Sequence, residues 1–254
     1  MADDAPLASL SLTHVYYDPD DHLSLLCAYL ALIPQALGIV YATLIFSTRE
    51  VEIALLFAGQ LACEALNFAL KRLIKEERPR RIHGKGYGMP SSHAQFVAFW
   101  SVSLALFLLV RHRPRDVSAT AERKNGSAAS KNKSKRGIGS DRPWSFLERA
   151  AVSVLGLLVA AAVAWSRTYL GYHTTRQVLV GSGAGVASAL AWFIFTGELR
   201  RTGWLHWALQ TRLARALRTR DLIVVEDMCQ AGWEKWEQHR GDSTQALETK
   251  SKAL

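Results

Sequence analysis

Apolar residues gather in five runs of about twenty, which matches the ~30 Å hydrocarbon core of a bilayer at the helical rise per residue. Polar stretches separate the runs, three of them short and one long. The pattern predicts spans over about Leu23–Phe46, Val51–Leu70, His93–Val110, Ala150–Trp165 and Thr175–Phe195. The expected fold class is all-α, a polytopic membrane helix bundle of about five spans with a site at one membrane face. Residues 1–22 form a surface lead-in, acidic through Asp3, Asp4, Asp18, Asp20 and Asp21, in which the Leu10–Val15 stretch is too short to cross. Residues 23–196 form the membrane domain and 197–254 a tail. Pro34 falls inside the first span, where neighbouring helices can satisfy the carbonyl it frees.

Polar residues inside the runs sharpen this picture. Gln60, Glu64, Asn67 and Lys71 follow at spacings of four, three and four, so they share one helix face. Charge is costly in lipid, and that face should look into the bundle, with Gln60 and Asn67 in an interhelical hydrogen-bond seam. Pro79, Gly84, Gly86 and Gly88 mark residues 72–89 as a loop. Ser92 with Gln95 has the form of a capping box, which opens the third helix with free amides at Ser91, Ser92 and His93. Gly181 and Gly185 allow close packing of the last span. Trp204, Trp207 and Leu209, with arginines from Arg212 to Arg220, suit an amphipathic helix on the bilayer surface.

The net charge of +9 raises nucleic acid as a partner, but the basic residues flank the apolar runs, so membrane orientation explains them better. The linker 111–149 alone carries eleven basic residues against four acids, and its Lys-Asn-Ser-Gly core has the composition of disorder. With five spans, the positive-inside rule places linker and tail in the cytosol, and the loops 71–93 and 167–173 on the opposite side. Two tripeptides in the linker, Asn125-Gly126-Ser127 and Asn132-Lys133-Ser134, fit a luminal glycosylation pattern; the charge bias outweighs them. Cys27, Cys63 and Cys229 are too far apart for a disulfide framework or a metal cluster and read as packing residues. The N-terminus lacks the charged and apolar regions of a cleaved signal.

Three polar clusters lie at the ends of apolar helices on that opposite side: Lys71-x6-Arg78-Pro79, Pro90-Ser91-Ser92-His93 and Ser166-Arg167-x5-His173. Lys71, Arg78 and Arg167, with Ser91, Ser92 and the helix-start amides, would cradle a phosphate, since Arg offers paired donors and Lys a point charge. His93 and His173 could divide the work between nucleophile and acid without a metal or other cofactor. The loops hold no cluster of carboxylates, which favours metal-free chemistry. Tyr169 and Tyr172 read as belt aromatics.

These clusters resemble the tripartite signature of the type-2 phosphatidate phosphatase superfamily, K-x6-R-P, P-S-G-H and S-R-x5-H-x3-D. The resemblance covers residues 71–177 and implies that His173 forms a phosphohistidine and His93 acts as general acid. It also implies that Lys71, Arg78, Ser91, Ser92 and Arg167 hold phosphate. Ser92 stands where the common pattern has Gly, and Gln177 where it has Asp. Gln177, four residues after His173, can accept a hydrogen bond through its amide oxygen but carries no charge.

The wider stretches Leu7–Val15, Tyr87–Phe96 and Ser166–Val178 are similar to the eukaryotic dolichyl diphosphate phosphatases, in which Gln also occupies that Asp position. That resemblance implies hydrolysis of dolichyl diphosphate to dolichyl phosphate at the luminal face of the endoplasmic reticulum. The tail's Lys250 and Lys252 resemble a dilysine retrieval signal for that membrane. Two other readings stay open here: a superfamily enzyme acting on phosphatidate, a sphingoid base phosphate or a shorter polyprenyl diphosphate, and a non-catalytic lipid-binding relative, which would be expected to lose one histidine.

Overall fold

A computed structural model describes residues 8–10, 15–79, 86–113, 144–228, 230–233, 235–237, 239–240 and 243. Two short strands, β1 (Ala8–Leu10) and β2 (Val15–Tyr17), pair antiparallel with Ala8 opposite Tyr17 and Leu10 opposite Val15. The helices follow as α1 (His22–Leu30), α2 (Ile33–Thr48), α3 (Val51–Ile74), α4 (Ser92–Leu106, continued by a π turn Phe107–Arg111), α5 (Phe146–Tyr169) and α6 (Thr175–Arg201). Two short tail helices, α7 (Trp204–Gln210) and α8 (Arg212–Ala216), complete the described order. Among the described residues, five segments are long and apolar enough to cross a membrane: 22–48, 51–74, 92–111, 146–169 and 175–201. The all-α expectation holds, with the short β1–β2 ladder added to it. Within residues 1–22, Val15 is buried with Cys27, Ala28, Ala31, Leu170 and Tyr172.

Helix ends are set by local chemistry that hydropathy does not weigh. Ser145 caps α5 and shares a capping box with Glu148, so the helix starts several residues before its apolar run. Thr174 and Gln177 do the same for α6. The first span is not one helix. Pro34 cannot donate to the preceding turn, so α1 stops at Leu30 and α2 restarts at Ile33 with Pro34 in its first turn, where a missing amide costs nothing.

Helix α4 is central and packs on α3, α5 and α6. Glycines set its approach to α6: a Cβ added at Gly181 would lie 2.6 Å from the Ser91 carbonyl oxygen, and one at Gly185 would lie 2.3 Å from that of Gln95. The polar seam forms in part. Asn67 Nδ2 donates to Gln95 Oε1 at 2.7 Å, and Gln95 Nε2 donates to the Cys63 carbonyl at 2.9 Å. Gln95 is thus spent on α3, and the expected Ser92–Gln95 capping box does not form; Ser91 precedes α4 with no side-chain cap. Gln60 is fully buried, as expected, yet neither of its amide atoms has a hydrogen-bond partner among the described residues. Large apolar side chains such as Leu61, Phe68, Leu158 and Ile194 face outward, as a lipid-facing surface requires. Cys27 and Cys63 are free and buried; Cys229, the linker core with both Asn-x-Ser tripeptides, Gly84, Lys250 and Lys252 lie outside the described residues.

At the end away from the three polar clusters, charge is closed into pairs. Glu52 meets Arg111 at 2.6 Å and Arg200 at 2.5 Å, and Arg200 also meets Asp221. Glu50 accepts from the amides of Leu222 and Ile223 and pairs with Arg220. Arg149 donates to the Leu108 and His112 carbonyls. Arg111 and Arg149 are therefore anchors of the helix ends rather than linker residues. The tail folds back through residues 217–226 instead of forming one amphipathic helix, because Thr211 ends α7 and caps α8; Trp204 and Trp207 remain exposed, edge to face.

Candidate active site

Alternating helix direction brings the C-terminal ends of α3 and α5 beside the N-terminal ends of α4 and α6. The three polar clusters arrive by this route at one end of the bundle. Lys71 sits in the last turn of α3, and Lys75 ends the helix in the left-handed region and turns the chain toward Arg78. Ser91 and Ser92 start α4, with the Ser91 amide donating to the Gln177 carbonyl at 3.2 Å. Arg167 lies in the last turn of α5 and His173 in the tight turn before α6. Two backbone bonds to the Arg167 carbonyl, from the Tyr172 and His173 amides, hold that turn closed.

Each imidazole has one nitrogen assigned by its partner. His173 Nδ1 lies 3.2 Å from Gln177 Oε1. An amide oxygen only accepts, so the proton resides on Nδ1 and the lone pair on Nε2. His93 Nε2 lies 3.2 Å from the Ala31 carbonyl oxygen. A carbonyl also only accepts, so His93 holds a proton on Nε2. The break between α1 and α2 sets the chain at Ala31 out of a continuous helix, which links Pro34 to the orientation of His93.

The electrostatics favour an anion. Burial, then the charge of Arg167, with Arg78 and Lys71 adding to it, pushes His173 down to about 4 against the weaker opposing effect of its bond to Gln177. It is neutral near pH 7. Arg167, His173 and Lys71 also act on His93. Arg167 is 2% exposed, with its guanidinium 4.3 Å from the Tyr172 ring centre. Its Nε and Nη1, and Ser91 Oγ, are buried with no hydrogen-bond partner among the described residues. Such groups are costly unless a ligand satisfies them.

Sequence reasoning missed several contributors. Tyr172 is not a belt aromatic: it is buried, its hydroxyl accepts from the Tyr16 amide at 2.8 Å, and burial pushes its phenol up. Tyr169 remains half exposed and donates to Asp21 at 2.6 Å. The loop after α3 does bring a carboxylate near the site, since Gln177 Nε2 donates to Glu76 Oε1 at 2.9 Å and to the Glu77 carbonyl at 3.0 Å. The acidic pair Glu76-Glu77 was visible in the sequence, but nothing local tied it to a residue a hundred positions away. Among the described residues no three His, Cys, Asp or Glu side chains are grouped as metal ligands. A neutral imidazole with an open Nε2, a second imidazole with a transferable proton and three surrounding cations can together accept and release a phosphoryl group.

Residues 52–201 match the family model described as the PAP2 superfamily. A Neurospora crassa protein named "Putative dolichyldiphosphatase" is 56% identical over the whole of both chains. The Dictyostelium discoideum protein named dolichyldiphosphatase 1 is 36% identical, covering 87% of this chain and 86% of its own length. The Homo sapiens protein of that name is 37% identical over 75% of this chain and 72% of its own. No solved structure matches.

Proposed function

The chain belongs to the PAP2 superfamily, and from that membership and the site geometry we infer that it hydrolyses dolichyl diphosphate to dolichyl phosphate and inorganic phosphate. Relatives named for this activity match over most or all of both chains. The observation that carries the reading is His173, its proton held on Nδ1 by Gln177 and its Nε2 left open beside Arg167.

Nε2 of His173 attacks the terminal phosphorus and the bond from phosphorus to the bridging oxygen breaks. His93, carrying a second proton on Nδ1 once the diphosphate is bound, gives that proton to the oxygen while its Nε2 proton stays on the Ala31 carbonyl, and dolichyl phosphate leaves. Water then attacks the phosphohistidine while His93 takes back a proton, and inorganic phosphate departs. Lys71, Arg78, Arg167 and the polar start of α4 at Ser91 and Ser92 hold the phosphoryl oxygens through both steps. A buried, unsatisfied Arg167 supports this role best, because its donors are already desolvated and fixed before substrate arrives. No metal or other cofactor takes part in the scheme.

The polyisoprenoid chain would lie against the lipid-facing helices, leaving the diphosphate at the membrane surface. Charge bias supports a cytosolic linker and tail with the site on the luminal side, and the likeness to dolichyldiphosphatases supports the membrane of the endoplasmic reticulum. There the reaction would return the carrier used for protein N-glycosylation.

Purified protein in EDTA, assayed for phosphate release against dolichyl diphosphate, dolichyl phosphate, phosphatidate and a sphingoid base phosphate, tests the reading. Release from the diphosphate alone is expected. Preference for another substrate would assign a different lipid phosphatase, and absence of all release would indicate a lipid-binding relative.

A further inference from the structure

Gln177 stands in the first turn of α6 where the superfamily signature has a carboxylate, and its amide carries no charge to balance an imidazole that becomes cationic on attack. The amide is not the end of the hydrogen-bond chain. Its Oε1 accepts from His173 Nδ1 at 3.2 Å and from the Thr174 amide at 3.3 Å. Its Nε2 donates to Glu76 Oε1 at 2.9 Å and to the Glu77 carbonyl at 3.0 Å. The four contacts admit one orientation, because the nitrogen faces two acceptors and the oxygen faces a backbone N–H. Gln177 is 1% exposed, so the chain runs inside the protein. The loop is built around it. Gly88 donates to the Glu76 carbonyl at 2.7 Å, and a Cβ at Gly88 would lie 2.9 Å from the Gln177 amide.

We propose that Glu76 is a positioning residue for His173, supplying through the Gln177 amide the negative charge that the superfamily's carboxylate supplies directly. The inference rests on the phosphohistidine reading above and adds a residue to it. Donation to Glu76 polarises the Gln177 amide and makes Oε1 a better acceptor. The Nδ1 proton is held more firmly, the tautomer with an open Nε2 is fixed, and the imidazolium-like ring formed on attack is stabilised. Lys71, Arg78 and Arg167 all disfavour that ring charge, so a carboxylate within two hydrogen bonds counts.

The test uses the full chain in detergent or nanodiscs, with Glu76→Gln, Glu76→Asp and the exchange Glu76→Gln/Gln177→Glu. In Glu76→Gln, kcat on dolichyl diphosphate should fall about tenfold or more with KM within twofold, since charge is lost and shape kept. Glu76→Asp should fall less, and the exchange, which puts the carboxylate directly on His173, should recover most of the loss. A Glu76→Gln enzyme with kcat within twofold of the parent would overturn the proposal. So would an exchange that recovers nothing, since the loss would then be structural. A readout independent of turnover is the ¹⁵N spectrum of histidine-labelled protein, with His173 identified by its disappearance in His173→Ala. The parent should carry its His173 proton on Nδ1, and Glu76→Gln should show a mixture of tautomers. A parent protonated on Nε2 would sink the inference even if the enzyme is active. Lack of turnover with the Nδ1 tautomer and its dependence on Glu76 intact would count against the substrate reading alone.

Discussion

The two ends of the bundle use arginine in opposite ways. At one end Arg111 and Arg200 are locked onto Glu52, with Asp221 and the Phe193 carbonyl completing the set. At the other, Arg167 is buried too, yet its Nε and Nη1 have no hydrogen-bond partner among the described residues, and the charge of Arg78 opposes its own. Paired arginines hold helix ends and a folded-back tail together. An arginine kept apart from carboxylates destabilises the protein alone, which fits its proposed role of meeting an anion.

Substitutions at the two ends should therefore fail differently. The largest effect is expected for His173→Ala, which removes the proposed nucleophile: phosphate release should fall at least about 10³-fold with expression intact. Normal turnover in that variant would reject the mechanism. Arg167→Ala should lower kcat/KM by about 10²–10³, and Arg167→Lys should recover only part, because a point charge cannot replace the fork. Rate assays on protein of unchanged thermal stability decide this. Gly181→Ala sharpens the comparison from the backbone side. Its Cβ would press on the Ser91 carbonyl, so kcat/KM should drop up to about 10²-fold through misplacement of the α4 start, more than stability suffers.

Arg111→Ala should do the reverse. It removes one partner of buried Glu52 and should cost about 3 kcal/mol, seen as a lower unfolding midpoint, while activity per folded molecule is unchanged. Loss of turnover without loss of stability would break the distinction between the ends.

The smallest effect concerns pH. His173 is held near 4, below its ordinary 6.5, so the unfolded chain binds a proton that the folded one does not as pH falls through that window. Stability should decline from about pH 6.5 toward 4, and the decline should shrink in His173→Ala. Activity should lose the contribution of neutral His173 only as pH drops through about 4.

The spans and the three clusters were legible because each has a local signature: length and hydropathy for the spans, fixed spacing for the clusters. What escaped depends on contacts between distant segments. Pro34 was visible, but not that the break it causes leaves the Ala31 carbonyl to meet His93. Gln95 had the spacing of a capping residue, yet Asn67 and the Cys63 carbonyl claim it from the next helix. Tyr172 looked like an interfacial aromatic until its partners, Tyr16 and Arg167, were in place. Glu76 lies in a loop with no motif of its own, and only the fold sets it on Gln177.

The central claim is that the terminal phosphoryl group passes through His173. Rapid acid-free quenching of the enzyme with dolichyl diphosphate labelled in its terminal phosphate tests it most directly. Acid-labile label on the peptide carrying His173, formed and lost at the rate of turnover and absent in His173→Ala, is the predicted result. Turnover with label on another residue, or with none at any time during the reaction, would contradict it.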